Sequence, residues 1–175
     1  DLFGKVWQGT FSGGNLSTAI ATRTGRGQVI YGGIRDYQQI CGIDNLQTFF
    51  VDCDPTPIRE VTMIGMNVPA RIGGAVCMPG DVVLGTPSGV YFIPPQHAEE
   101  IVVHSERTRL RELFGLQRLR EGIYTSAQMD TKWTDAIETD FAEWRRTNTP
   151  PEYQHLTWDE ESEIDQAQGN EETLL

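Results

Sequence analysis

Residues 13 to 40, GGNLSTAIATRTGRGQVIYGGIRDYQQI, restrict the fold more than any other stretch of the chain. Gly13, Gly14 and Asn15 open the run LSTAIATRT, and Gly25 and Gly27 close it, which is the punctuation of one short helix. QVIYG follows as an apolar, β-branched run suited to a buried strand, and a Gly32-Gly33 turn then presents Arg35 and Asp36. Upstream, residues 3 to 11 read as a strand ending near Gly9. Downstream, DYQQI reads as one helical turn and LQTFFVDCD as a returning strand. Strands alternating with short helices predict a mixed α/β domain, although the order alone leaves the topology open.

From Pro69 onward the strand signals crowd together. ARIGGAVCM, DVVLGT and VYFIPP are separated by Pro-Gly-Asp at 79 to 81 and Pro-Ser-Gly at 87 to 89, both turn sequences. Gln96 to about Glu121 is helix-rich, with Ile101, Val102, Leu110, Leu113 and Phe114 as apolar anchors and Gly115 as a break. A second helix over Thr134 to Arg146 carries Ile137, Phe141 and Trp144 on one stripe. The expected organisation is therefore an α/β core over 1–95, a helical extension over 96–146 and an acidic, disordered or loosely docked tail over 147–175.

Charge sharpens this division. The net charge of the 175 residues is −11, yet residues 147 to 175 hold eight acids and no Lys or Arg, so the body is close to neutral. A body without a broad cationic face is a poor partner for phosphate backbones, which disfavours direct nucleic-acid binding. No apolar run approaches the ~18 residues of a membrane span. Asp1 begins the sequence without a charged-then-apolar leader, which reads as a removed leader or part of a longer chain. Cys41, Cys53 and Cys77 have neither zinc-site spacing nor an even count, so they read as reduced, packed thiols in a cytoplasmic protein.

The chemistry-bearing residues cluster in the first stretch. Free N–H groups at a helix start carry partial positive charge, so the amides of Gly14, Asn15 and Leu16 could hold a carboxylate. Arg35 offers a planar fork of donors to the same anion or to an enolate oxygen. Asp36 suits a hard Mg²⁺ or Mn²⁺ ion that keeps most of its waters. An Arg-Asp dipeptide alone is more often a surface ion pair, and Asn15 reads equally as a simple helix cap. GGNLST lacks the Gly-Lys-Ser/Thr ending of a phosphate loop, and neither His97, His104 and His155 nor Ser12, Ser17 and Ser88 form a hydrolase pattern.

GGNLSTAIATRTGRGQVIYGGIRDYQQI together with NVPARIGGAVCMPGDVVLGTPSGVYFIPPQHAEEIV resembles the RraA-like group, and the likeness continues through SERTRLRELFGLQRLREGIYTSAQMDTKW and DAIETDFAEW to about residue 146. That group includes the regulator of ribonuclease activity A and the 4-hydroxy-4-methyl-2-oxoglutarate aldolases, and this chain resembles its longer bacterial branch. The resemblance implies a layered α/β/β domain of the swivelling type, C-terminal helices, an N-terminally truncated chain, and assembly as a homotrimer or hexamer. It implies that Arg35 binds the pyruvyl oxygen, Asp36 holds the divalent metal, and the amides of Gly14, Asn15 and Leu16 bind the substrate carboxylate. The activity so implied is metal-dependent retro-aldol cleavage of a 4-hydroxy-2-oxo diacid or decarboxylation of oxaloacetate, releasing pyruvate. A Schiff-base lysine is not needed for it. Two departures stand out: Gly14 occupies the place of an aldolase acid, and TPSG at 86 to 89 replaces an acid-containing turn. A non-catalytic regulator that binds a ribonuclease or another protein is the rival reading.

Overall fold

The computed structural model describes residues 1 to 158. The chain divides into two compact units, one of residues 1–98 and one from Glu99 onward. The first contains β1 (Thr10–Ser12), α1 (Gly14–Thr24), β2 (Gln28–Ile34), α2 (Tyr37–Cys41) and β3 (Thr48–Cys53). These strands form a sheet in the order β1-β2-β3, with both pairs parallel. Parallel neighbours cannot be joined by a tight hairpin, so the chain must cross over between strands, and α1 and α2 lie in those crossovers. Ile30, Ile34 and Ile40 are buried, and Leu2, Leu46 and Phe50 pack against them. The mixed α/β class is thus the observed one.

Two antiparallel hairpins follow. β4 (Ala70–Ile72) pairs with β5 (Ala75–Cys77), and β6 (Val82–Thr86) pairs with β7 (Gly89–Ile93). The Pro-Gly-Asp and Pro-Ser-Gly turns fall where expected, with Gly80 at φ +96°. ARIGGAVCM, read as one strand, is itself a hairpin that turns at Gly73, whose φ of +62° is open to glycine at little steric cost.

Several expectations require correction. Residues 3 to 9 are turns rather than strand, with Phe3 and Gln8 in the left-handed region, and only Thr10–Ser12 joins the sheet. Gly32 and Gly33 are not a turn but lie inside β2. The physical reason is close approach. The Gly33 amide donates to the carbonyls of Lys5 and Gly9, both at 3.1 Å, and a Cβ on Gly33 would sit 2.9 Å from the Val6 carbonyl oxygen. The paired glycines therefore admit the N-terminal loop onto the strand. Of the cysteines, Cys41 and Cys53 are exposed rather than packed, and all three are free thiols.

The second unit is helical. α3 (Ala98–Arg120) runs through Gly115 without a break, and α4 (Ser126–Met129) and α5 (Asp135–Asn148) follow. Gly115 is buried against Met129, so its small size serves packing. Leu110, Phe114, Ile137, Phe141 and Trp144 make one core, whereas Ile101 and Val102, read as anchors, are exposed. Arg118 forks onto Asp140 through Nε at 2.9 Å and Nη2 at 2.6 Å, and the Tyr124 hydroxyl donates to the same carboxylate at 3.0 Å. Arg118 first, and Tyr124 with it, hold the Asp140 carboxyl below its ordinary range against the opposing effect of burial. Past α5, a 3₁₀ turn at Pro151–Tyr153 leads to Trp158, which meets Phe141 edge-on at 5.4 Å. Residues 159 to 175, with seven of the eight tail acids, lie outside the described residues, and so does most of the segment expected to be disordered. Among the described residues no helix is long and apolar enough to cross a membrane.

Candidate functional site

The carboxyl ends of the three parallel strands meet in one place, the position at which open α/β sheets hold ligands. Gly13 follows β1, Arg35 and Asp36 follow β2, and Asp54 follows β3. Two backbone bonds tie these exits together: the Arg35 amide donates to the Ser12 carbonyl at 3.0 Å, and the Asp54 amide to the Ile34 carbonyl at 2.9 Å. Arg35, Asp36, Cys53, Asp54 and Pro55 line a shallow, open cavity of about 190 Å³ beside them.

Asp36 has φ +56° and ψ +39°, a left-handed conformation that Asp tolerates better than most residues. It stands at the start of α2 yet makes no side-chain cap there. Its Oδ2 instead accepts the Gly14 amide at the start of α1, at 3.1 Å. A carboxylate at a helix N-terminus is favoured by the helix dipole. Gly13 makes room for it, since a Cβ there would lie 2.5 Å from Asp36 Oδ2.

Arg35 is anchored by its Nη1, which donates to the Thr10 carbonyl at 3.0 Å. Its Nε lies 3.9 Å from Asp36 Oδ2, a separation at which two partly exposed groups gain little from pairing. Nη2 has no protein acceptor among the described residues, so the fork retains donors for a ligand. Thr10 is fully buried, and its hydroxyl donates to the Thr56 carbonyl. Thr56 in turn grips Asp54: its amide donates to Asp54 Oδ1 at 2.8 Å and its hydroxyl donates to the same atom. The loop at 54 to 56 and the guanidinium thus share one support.

Of the residues read from sequence, Gly14, Arg35 and Asp36 are brought together. Asn15 and Leu16 follow in the first turn of α1 with exposed side chains and do not line the cavity. The first intrahelical bond is from the Ser17 amide to Gly13, at 3.0 Å. The amides of Asn15 and Leu16 therefore precede the ladder and have no acceptor among the described residues. The Gly14 amide, by contrast, is taken by Asp36.

Cys53, Asp54 and Pro55 were not singled out from sequence. The available signal was the Asp-Pro-Thr turn at a strand end, in which an Asp side chain bonds the amide two residues on. Partial desolvation of this otherwise exposed side chain, then the Asp52 carboxylate and Cys41, push the Cys53 thiol above its ordinary range, so it remains protonated near neutrality.

Among the described residues no group of three or more His, Cys, Asp and Glu converges as a protein-built metal cage. A hard ion that retains its waters needs only one or two carboxylates, and exposed oxygen donors are the donor type it takes. Asp36, its side chain 43% exposed and directed at the cavity with Arg35, fits that mode of holding Mg²⁺ or Mn²⁺.

The RraA-like family, described as Aldolase/RraA, matches residues 4 to 91. The chain belongs to this family, which contains both aldolases and regulators. Its members are often oligomeric and act on small molecules, and its aldolases are commonly Mg²⁺-dependent. An uncharacterized protein from Pseudomonas syringae pv. tomato str. DC3000 is 26% identical, with a TM-score of 0.60 over 69% of this chain and 56% of that one. A structure described as one of novel cellulases from microbes associated with the gut ecosystem is 28% identical, with a TM-score of 0.53 over 62% of this chain and 49% of that one. The chain thus spans about half the length of these solved relatives. No curated protein matches it.

Proposed function

We propose that the chain carries the site of a divalent-metal-dependent lyase of 2-oxo acids, cleaving a 4-hydroxy-2-oxo diacid or decarboxylating oxaloacetate to release pyruvate. The observation that carries this reading is that Arg35 and Asp36 line one cavity at the carboxyl ends of parallel strands. Asp36 would hold Mg²⁺ or Mn²⁺, and the ion when bound would act as a Lewis acid on the 2-oxo group. Arg35 meets the oxygen on which negative charge develops, with Nη2 as the available donor and Nη1 fixed by Thr10. The amides of Asn15 and Leu16 face the substrate carboxylate, joined by Gly14 when Asp36 releases it. Assembly as a homotrimer or hexamer and a cytoplasmic setting belong to the same proposal.

The test is pyruvate release from oxaloacetate and from a 4-hydroxy-2-oxo diacid, with and without Mg²⁺. Asp36→Asn keeps an oxygen for the Gly14 amide while removing the charge. Its turnover is expected to fall at least about a hundredfold, equivalent to about 2.7 kcal/mol of transition-state stabilisation. Unchanged turnover would remove Asp36 from the mechanism. Absence of release by the unaltered chain would favour the non-catalytic regulator.

A further inference from the structure

We propose that Asp54 is the proton-transferring carboxylate of this site, an assignment that rests on the lyase reading above. Retro-aldol cleavage needs a base for the C4 hydroxyl, and the cavity offers few groups for that task. Arg35 is a permanent cation and has no lone pair to give. Asp36 is bound to the Gly14 amide and is the residue that would hold the ion. Cys53 keeps its proton near neutrality. Asp54 is the other carboxylate on the cavity wall.

Its setting suits the role. The Asp54 amide is fixed to the carbonyl of Ile34, the residue immediately before Arg35. Both donors of Thr56 converge on Oδ1, which sets the carboxylate plane. Oδ2 has no donor among the described residues and remains able to accept a proton. Gln8 holds Thr56 from the other side, its amide donating to the Thr56 hydroxyl at 2.7 Å. A carboxylate gripped at one oxygen and unengaged at the other is held in orientation with one oxygen left open to the substrate.

In the step proposed, Asp54 takes the proton of the C4 hydroxyl as the C3–C4 bond breaks. The C4–O bond becomes a carbonyl, and the C3–C4 electron pair passes into the enolate of pyruvate. The Asp54 carboxylic acid then returns its proton to C3, giving pyruvate and restoring the carboxylate. Atoms and electrons balance without any further reactant. By reversibility, the same group removes a C3 proton from added pyruvate.

The test compares the unaltered chain with Asp54→Asn, which retains an oxygen for Thr56. Three quantities are read in the presence of Mg²⁺: cleavage of a 4-hydroxy-2-oxo diacid, deuterium uptake from heavy water into the pyruvate methyl group by NMR, and oxalate affinity by calorimetry. We expect cleavage and deuterium uptake to fall together by at least ~100-fold, with oxalate affinity within about threefold of the starting value, a difference of under 1 kcal/mol. Uptake or cleavage retained within threefold in the Asn variant would overturn the role of Asp54 alone. Loss of oxalate affinity along with the chemistry would make Asp54 a structural support and overturn it as well. An unaltered chain that neither cleaves nor exchanges would bring down the lyase reading, a result distinguishable from both.

Discussion

The two units fill their interiors differently, one with aromatic rings and the other with aliphatic side chains and buried hydroxyls. In the helical unit Phe114 has ring neighbours on several sides, with Trp133 and Phe141 at 5.3 Å and Trp144 at 5.7 Å. Arg111 lies over Trp133 at 3.9 Å and forks onto Glu138, so even its charged groups serve the aromatic cluster. The first unit buries three isoleucines in its core, and its fully buried side chains include Thr10, Ser12 and Ser17. Val82, Val83 and Leu84 of β6 and Tyr91 of β7 stay exposed. Two of those buried hydroxyl residues lie beside the candidate site. Thr10 supports Arg35 directly, and the Ser12 carbonyl receives the Arg35 amide. The first unit thus combines an aliphatic core with buried polar groups that hold functional side chains in place, whereas the helical unit relies on its aromatic cluster.

Deep core truncation is the strongest way to probe that contrast. Phe114→Ala is expected to destabilise the helical unit by about 3–5 kcal/mol, since it empties the middle of a ring cluster that cannot collapse as one. Denaturant titration followed by tryptophan fluorescence reads this loss, because Trp133, Trp144 and Trp158 all belong to that unit. A loss below 1 kcal/mol would show that the cluster does not carry the unit's stability. A smaller effect is expected from Ser17→Ala in the first unit. The Ser17 hydroxyl lies 2.6 Å from that of Ser12 and accepts from Gln28 Nε2 at 2.9 Å. Removing it takes one partner each from the buried Ser12 hydroxyl and from Gln28, which keep the Gly13 carbonyl and the Thr48 hydroxyl, a cost of about 1 kcal/mol. Thermal unfolding checks it, and a neutral or stabilising result would mean that the hydroxyl chain is incidental to the interior.

Much of the fold was legible because local physics decides it. Gly25 closes α1 with φ +58° and its amide on the Ala21 carbonyl, as a glycine after a helix commonly does. The stripe of Ile137, Phe141 and Trp144 is buried because helical periodicity alone places it on one face. Legibility failed where distant contacts decide. Gly32-Gly33 carries the same local signature whether it turns the chain or admits another segment, and only the loop at 2 to 9 distinguishes the two. Arg35 and Asp36 could be singled out because their chemistry is uncommon beside a glycine-opened helix. Asp54 could not, since its place beside Arg35 follows from the β2–β3 register, in which Ile34 pairs with Cys53.

The central claim is that the Arg35 guanidinium and the Asp36 carboxylate serve one small-anion site. Calorimetric titration of oxalate, a planar dianion shaped like the enolate of pyruvate, into the chain with Mg²⁺ present tests it most directly. The unaltered protein is expected to bind, and Arg35→Lys to bind at least tenfold more weakly, about 1.4 kcal/mol, because an ammonium cannot reproduce the planar fork. Equal affinity in the two proteins, or no binding in the unaltered one, would contradict the claim.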